Sequence, residues 1–318
     1  MNSMRLSDIY APISADLKVF EGRLKRELTS PDRFINSIFG HILKGKGKRL
    51  RPVLVFLSAR ACGSVTQEVR DMAVAIELIH TATLIHDDVV DMAEMRRGRP
   101  AVNKKWKNDI AVLMGDYLYS KATNILAGMK DKEVPKMVSR TAGMMCEGEL
   151  AHMKRRFDPG MTESEYMDVI SRKTSSLLRL ASSSGARLSG ATPSRVKMLS
   201  DYGYNFGTAF QIVDDILDIT GDENMLGKTL GLDIKRGGPT LPLILLKRSS
   251  SRRKNRDLFS GAGRLKRDID KNDIIKRSMD MALGFADAAK DAIKNIDEDR
   301  HKASLDGLVD YVIGRVRC

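Results

Sequence analysis

Val74-Ala75-Ile76-Glu77-Leu78-Ile79-His80-Thr81-Ala82-Thr83-Leu84-Ile85-His86-Asp87-Asp88-Val89-Val90-Asp91 runs from one of the greasiest segments of the chain straight into three carboxylates. A second stretch, Phe206-Gly207-Thr208-Ala209-Phe210-Gln211-Ile212-Val213-Asp214-Asp215-Ile216-Leu217-Asp218-Ile219, repeats the arrangement about 127 residues later. Burying an isolated carboxylate is costly unless a counter-charge accompanies it. Two DDxxD clusters set in apolar helices therefore ask for an unusual partner, and divalent metal ions meet that need. In a helix, positions i and i+4 share a face, with Cβ atoms about 5–6 Å apart. Asp87 then points with Asp91, and Asp214 with Asp218. Magnesium suits such pairs, because it takes one or two carboxylates and fills its shell with water and phosphate oxygens. Capping at a helix start would be the ordinary use of these acids. The first cluster instead closes its apolar run, where the helix dipole opposes negative charge.

Working outward, helical periodicity dominates and strand-type alternation is scarce. Of the 318 residues 42% are hydrophobic and only 5% aromatic, with 17 Met, which suits helices better than sheets. The expectation is an all-α chain, residues 1–318 as a single large domain of about ten or more helices, without internal repeat or linker. No run of 18 apolar residues suggests a membrane span, and the first residues do not read as a secretory signal. Cys62, Cys146 and Cys318 are odd in number and widely spaced, which argues against a disulfide framework or zinc site and for a cytoplasmic location. The +13 net charge favours anionic partners: nucleic acid, acidic lipid or phosphorylated small molecules.

Basic, glycine-bearing loops accompany the acids. Gly45-Lys46-Gly47-Lys48-Arg49-Leu50-Arg51-Pro52 opens a helix at its proline, Arg96-Arg97-Gly98-Arg99-Pro100 follows the first cluster, and Lys228 lies ten residues beyond the second. Arginine forks and lysine point charges grip phosphates, and glycines let backbone approach an anion closely. Metals and cations together imply a substrate richer in negative charge than a monophosphate.

These residues resemble the trans-isoprenyl diphosphate synthase, or polyprenyl synthetase, family, and most closely its long-chain members. The motifs are Gly47-Lys48-Arg49-Leu50-Arg51-Pro52, Asp87-Asp88-Val89-Val90-Asp91 through Gly98, Lys173-Thr174, Gln211 to Asp218, Gly227-Lys228-Thr229-Leu230-Gly231-Leu232-Asp233 and Thr240-Leu241-Pro242. The resemblance implies an all-helical fold around a central cavity, working as a homodimer. Lys48, Arg51, His80 and Arg97 would hold isopentenyl diphosphate. Asp87, Asp91 and Asp214, with Asp88 and Asp218 in support, would carry Mg2+, with Mn2+ as a substitute, onto an allylic diphosphate. Arg96, Lys173, Thr174, Gln211 and Lys228 would contact that allylic partner, and Asp215 completes the catalytic aspartates. One departure stands out: Gly238 occupies a position where the family commonly has lysine, leaving Lys235 or Arg236 as substitutes.

The chemistry expected of these parts is prenyl transfer. Cations stabilise a departing diphosphate, an allylic carbocation forms, and the double bond of isopentenyl diphosphate attacks it in a cavity kept dry. No nucleophilic side-chain constellation is needed, and none is evident. Short-chain relatives are expected to carry bulky aromatics four and five residues before the first motif. Thr83 and Ala82 stand there in this chain, leaving a shaft open toward Ile79 and Ile76. One helical turn rises about 5.4 Å, close to one isoprene unit. The expected product is therefore a long all-trans chain of roughly six to nine units, with eight the central value. Product release implies transient contact with a membrane surface. The competing readings are a short-chain synthase, a terpene cyclase, a non-catalytic partner subunit and a nucleic-acid-binding protein. Intact twin aspartate motifs and the absence of a helix-turn-helix or zinc-finger pattern speak against the last two. His86, Glu147, Glu149 and the methionines 137, 144, 145 and 153 are read as packing or surface residues rather than parts of the site.

Overall fold

The computed structural model of the chain describes residues 5–45, 47–158, 160–220, 237–249 and 273–316. Lys228, Lys235 and Arg236 lie outside them. Among the described residues the only strands are a two-residue pair, β1 (Met95–Arg96) and β2 (Arg99–Pro100). Everything else regular is helical, as the periodicity predicts.

The centre of the stack is α5 (Gln67–Val90). Thr66 caps it, its hydroxyl accepting from Val69 N at 3.2 Å. Met72 through Ile79 are all buried, so no face of this half meets water and the helix is enclosed by neighbours. It packs against α4 (Leu50–Cys62), α6 (Val102–Ala127, interrupted at Lys107) and α9 (Ser176–Leu188). α10 (Pro193–Thr220), the second aspartate helix, packs against α9 and α12 (Ile274–Ala292). The remaining helices are α1 (Leu6–Tyr10), α2 (Ser14–Glu27), α3 (Arg33–Lys44), α7 (Glu133–Lys154), α8 (Glu163–Ile170), α11 (Leu241–Ser249) and α13 (Arg300–Gly314). Buried apolar side chains from Ile9 to Ile313 join in one contiguous core.

Small residues set how near the helices come. A Cβ on Gly185 of α9 would strike the Val55 carbonyl of α4, so these two helices touch backbone to backbone. A Cβ at Gly203 of α10 would sit 2.6 Å from the Leu178 carbonyl of α9. With α9 wedged tightly between α4 and α10, the chain leaves its open space elsewhere. It lies between the C-terminal half of α5, α7 and the middle of α10.

Candidate active site

That space is a cavity of about 1060 Å³, large for a ligand site. Its wall carries Asp87 from α5 and Asp214 from α10, so the two aspartate helices border one cleft. Lys48, Arg51, His80, Arg96, Arg97, Lys173, Thr174 and Gln211 all line it too. The structure thus gathers on one surface residues separated by up to 166 positions in the chain.

The local geometry explains how each group arrives. α5 ends at its motif: Asp91 is the C-cap, Met92 turns left-handed with φ 49°, and Ala93 N donates to Asp88 O at 2.8 Å. Asn103 Nδ2 reaches the carbonyls of Asp88 and Ala93, each at 3.1 Å, and holds this terminus. The hairpin β1–β2 follows, its two-residue loop Arg97-Gly98 having φ of 51° and 71°, the positive pair that a tight hairpin demands. Arg97 folds back onto the other basic loop and donates from Nη1 to Gly45 O at 2.9 Å. A Cβ on Gly47 would stand 2.8 Å from that guanidinium, so glycine there lets the two loops dock.

Lys173 and Thr174 sit on a π-helical turn, Ser171–Ser175, between α8 and α9. Such widened turns re-aim side chains and recur at functional sites. Across from it, a Cβ at Gly148 of α7 would lie 2.8 Å from Lys173 N, so this glycine admits the turn. Its neighbour Glu149 then meets Lys173 Nζ at 2.5 Å.

Electrostatically the cleft has two lobes. In the first, burial and the nearby Arg51, Arg97, Arg96 and Arg49 hold His80 well below its ordinary titration range, so it is neutral at pH 7. Burial likewise brings Arg51 down to about 10, and its buried Nε has no hydrogen-bond partner. A crowd of cations with an unsatisfied donor is the signature of a site for a multivalent anion. In the second lobe, burial pushes the Asp87 carboxyl up to about 6; Lys173 opposes this, while Glu149 and Asp91 add to it. Glu149 is held down at about 2; burial works against this, but His152 and Lys173 outweigh it.

Not every motif aspartate faces the cavity. Asp88, 2% exposed, turns to the far side of α5, where the Arg96 fork holds it with Nε at 2.9 Å. Asp215 is buried and accepts from Tyr166 Oη at 2.8 Å, Gln211 Nε2 at 2.9 Å and Leu241 N at 3.1 Å. Asp218 is fully buried beneath the wall. Helical rotation carries Asp88 and Asp215 off the cleft face, where Asp88 holds Arg96 and Asp215 holds Gln211, while Asp218 stands one turn beyond Asp214. Gln211 joins Asp215 to Thr174, whose hydroxyl donates to Gln211 Oε1 at 2.7 Å. Glu149, Met145 and Met153, which the sequence singles out but which read there as surface or packing residues, line the cavity. Sequence reading missed Arg156 on Asp91 and Arg315 on Asp214, because such pairings depend on segments remote in sequence.

The oxygen donors Asp87, Asp91 and Asp214 suit a hard divalent cation. A cation would also relieve the raised Asp87 carboxyl. Among the described residues no three His, Cys, Asp or Glu side chains converge on one metal position.

A family model, polyprenyl synthetase, matches residues 32–278. Over 238 residues the chain is 40% identical to the all-trans-nonaprenyl-diphosphate synthase (geranyl-diphosphate specific) of Rhodobacter capsulatus, covering 74% of this chain and 73% of that one. It is 39% identical over 241 residues to the octaprenyl diphosphate synthase of Escherichia coli K12, covering 76% and 75%. A crystal structure of a Caulobacter crescentus polyprenyl synthase, complexed with calcium and isoprenyl diphosphate, superposes with TM-score 0.91 at 30% identity over 99% of both chains. By its matched span and by these identities, the chain belongs to the polyprenyl synthetase family and is a prenyltransferase with the isoprenoid synthase fold.

Proposed function

We propose that this enzyme condenses isopentenyl diphosphate repeatedly onto an allylic diphosphate, with Mg2+, to make an all-trans polyprenyl diphosphate of about eight units. One observation carries the reading: Thr83, Ala82 and Ile79 line the same cavity as Asp87, and α5 places no Phe, Tyr or Trp there. Met145, Leu150 and Met153 of α7 supply the facing wall, and methionine adapts to an irregular tail. Ile76, once a candidate floor, lies in the core rather than on the shaft.

Bound Mg2+ supplies Lewis-acid stabilisation of the leaving diphosphate. Asp87, Asp91 and Asp214 would hold it. Lys173, with Thr174 and Gln211, orients the allylic diphosphate, while Arg51, Arg97 and Lys48 place isopentenyl diphosphate in the first lobe. Neutral His80 adds a hydrogen-bonding group there without competing charge. The apolar shaft excludes water from the carbocation.

The proposal includes a homodimer. Leu113 of α6 is 63% exposed, and Val112 of α6 and Met144 of α7 are exposed apolar side chains that such a contact would cover. It also includes a cytoplasmic location and brief contact with anionic membrane lipid as product leaves, supported by the +13 charge. Incubating the enzyme with labelled isopentenyl diphosphate, farnesyl diphosphate and Mg2+, then sizing the product, tests the activity. Products of three or four units would reject the long-chain reading, and no incorporation would favour a partner subunit.

A further inference from the structure

Asp214 on the cavity wall and Asp91 at the end of the helix that carries Asp87 are both held by basic side chains from elsewhere in the fold. Arg156, in the turn after α7, pairs with Asp91. Arg315, just beyond α13, lies with Nη1 2.8 Å from Asp214 Oδ1. Each pair is sheltered, the arginines being 23% and 16% exposed and the aspartates 23% and 32%. Neither arginine belongs to an aspartate motif or its adjoining basic loop.

Both arginines are presented by built supports. The Arg156 turn is anchored on one side by Arg155, which bonds Asp158 and Glu165. On the other, Phe157, with φ 58°, donates its N–H to Gly237 O at 2.8 Å. Arg315 lies 5.4 Å from the Phe210 ring centroid, one helical turn before Asp214. Its buried Nη1 makes no well-directed hydrogen bond, although it is close to the carboxylate. That contact is charge against charge, without the geometry of a settled fork.

We infer that Arg156 and Arg315 are resting-state counter-ions that guard the metal carboxylates. They neutralise Asp91 and Asp214 until a divalent cation arrives together with a diphosphate. The diphosphate oxygens then offer the guanidinium groups an alternative anion, and the carboxylates become available to metal. Metal and diphosphate binding are thereby coupled, and coupling of this kind is reciprocal between the two ligands. A metal ion alone binds poorly, because it must displace a sheltered ion pair. This inference rests on the metal-site reading above.

The test is binding of Mn2+ alone to metal-free protein, followed by electron paramagnetic resonance, for wild type, Arg156→Gln, Arg315→Gln, Arg156→Lys and Arg179→Gln. Arg179 bonds Ser200 and stacks on Tyr204, so its variant controls for net charge alone. Each glutamine variant of Arg156 and Arg315 is expected to tighten Mn2+ binding about tenfold, within the usual range of couplings between sites. Arg156→Lys and Arg179→Gln should stay near wild type. Unchanged affinity in both Arg156→Gln and Arg315→Gln, or an equal gain in Arg179→Gln, overturns the inference. If Arg315→Gln does not fold, as circular dichroism will show, Arg156→Gln decides alone. Wild type is also titrated with Mn2+ plus inorganic pyrophosphate. Protein-bound Mn2+ there, with unchanged arginine variants, rejects only the guarding role. No protein-bound Mn2+ under any condition rejects the metal-site reading itself.

Discussion

Asp87→Asn separates what the active site needs from what the fold prefers. The Asp87 carboxyl titrates at about 6 in the folded protein against an ordinary 3.8, chiefly through burial. The folded state therefore keeps a proton that the unfolded chain has already released. Between pH 4 and 6 the native state binds more protons, so stability falls as pH rises, and it levels off above 6. At pH 7 the ionised group costs metal-free enzyme up to about 3 kcal/mol, since each tenfold gain in proton affinity on folding is worth about 1.36 kcal/mol. Asparagine keeps the shape and removes the charge. Metal-free Asp87→Asn should be more stable than wild type at pH 7 by about 1–3 kcal/mol, the lower figure allowing for its buried amide. That amounts to a few degrees in Tm for a chain of this size. Turnover should fall by several orders of magnitude, because a ligand for metal-assisted charge stabilisation is gone. The assay is urea unfolding of metal-free protein at pH 5, 6, 7 and 8, beside initial rates with Mg2+. The fall in stability between pH 5 and 6 should be smaller in the variant than in wild type. A variant less stable than wild type at pH 7, an unchanged slope, or near-normal turnover would each refute the reasoning.

Further outcomes follow from the cavity and the packing. Ala82→Phe or Thr83→Phe should shorten the product to about three or four units, since either ring lands in the shaft one turn from Asp87; unchanged long products from an active variant would place the tail elsewhere. Arg97→Ala should raise the KM for isopentenyl diphosphate at least roughly tenfold, the worth of a charged hydrogen bond, and leave the allylic KM largely alone. Equal effects on both substrates, measured by initial rates, would dissolve the division into two lobes. Gly185→Ala should cost about 1–3 kcal/mol in chemical denaturation, because its methyl meets the Val55 carbonyl. An unshifted midpoint would show that α4 and α9 can part without penalty.

Much of the site was legible because its signals are local. Asp87 and Asp91 stand one helical turn apart, and the Gly45–Arg51 and Arg96–Gly98 loops announce themselves by composition. The raised Asp87, the neutral His80 and the partners of Asp88 and Asp215 were not legible. They depend on burial and on charges contributed by other helices. Glu149 read as a surface acid until the close approach at Gly148 set it against Lys173.

Two things were determined by the sequence alone: the helical class, through 3.6-residue apolar periodicity, and the prenyltransferase class, through the twin DDxxD motifs and the basic loops beside them. Both reside in local sequence. Only the tertiary structure decided which carboxylates face the cleft, since α9, held at close range by Gly185 and Gly203, sets where α10 lies relative to α5. It also decided that Arg156 and Arg315 meet Asp91 and Asp214, pairs 65 and 101 residues apart. No local pattern encodes such pairs, because a charge finds its partner only once packing has brought distant helix ends together.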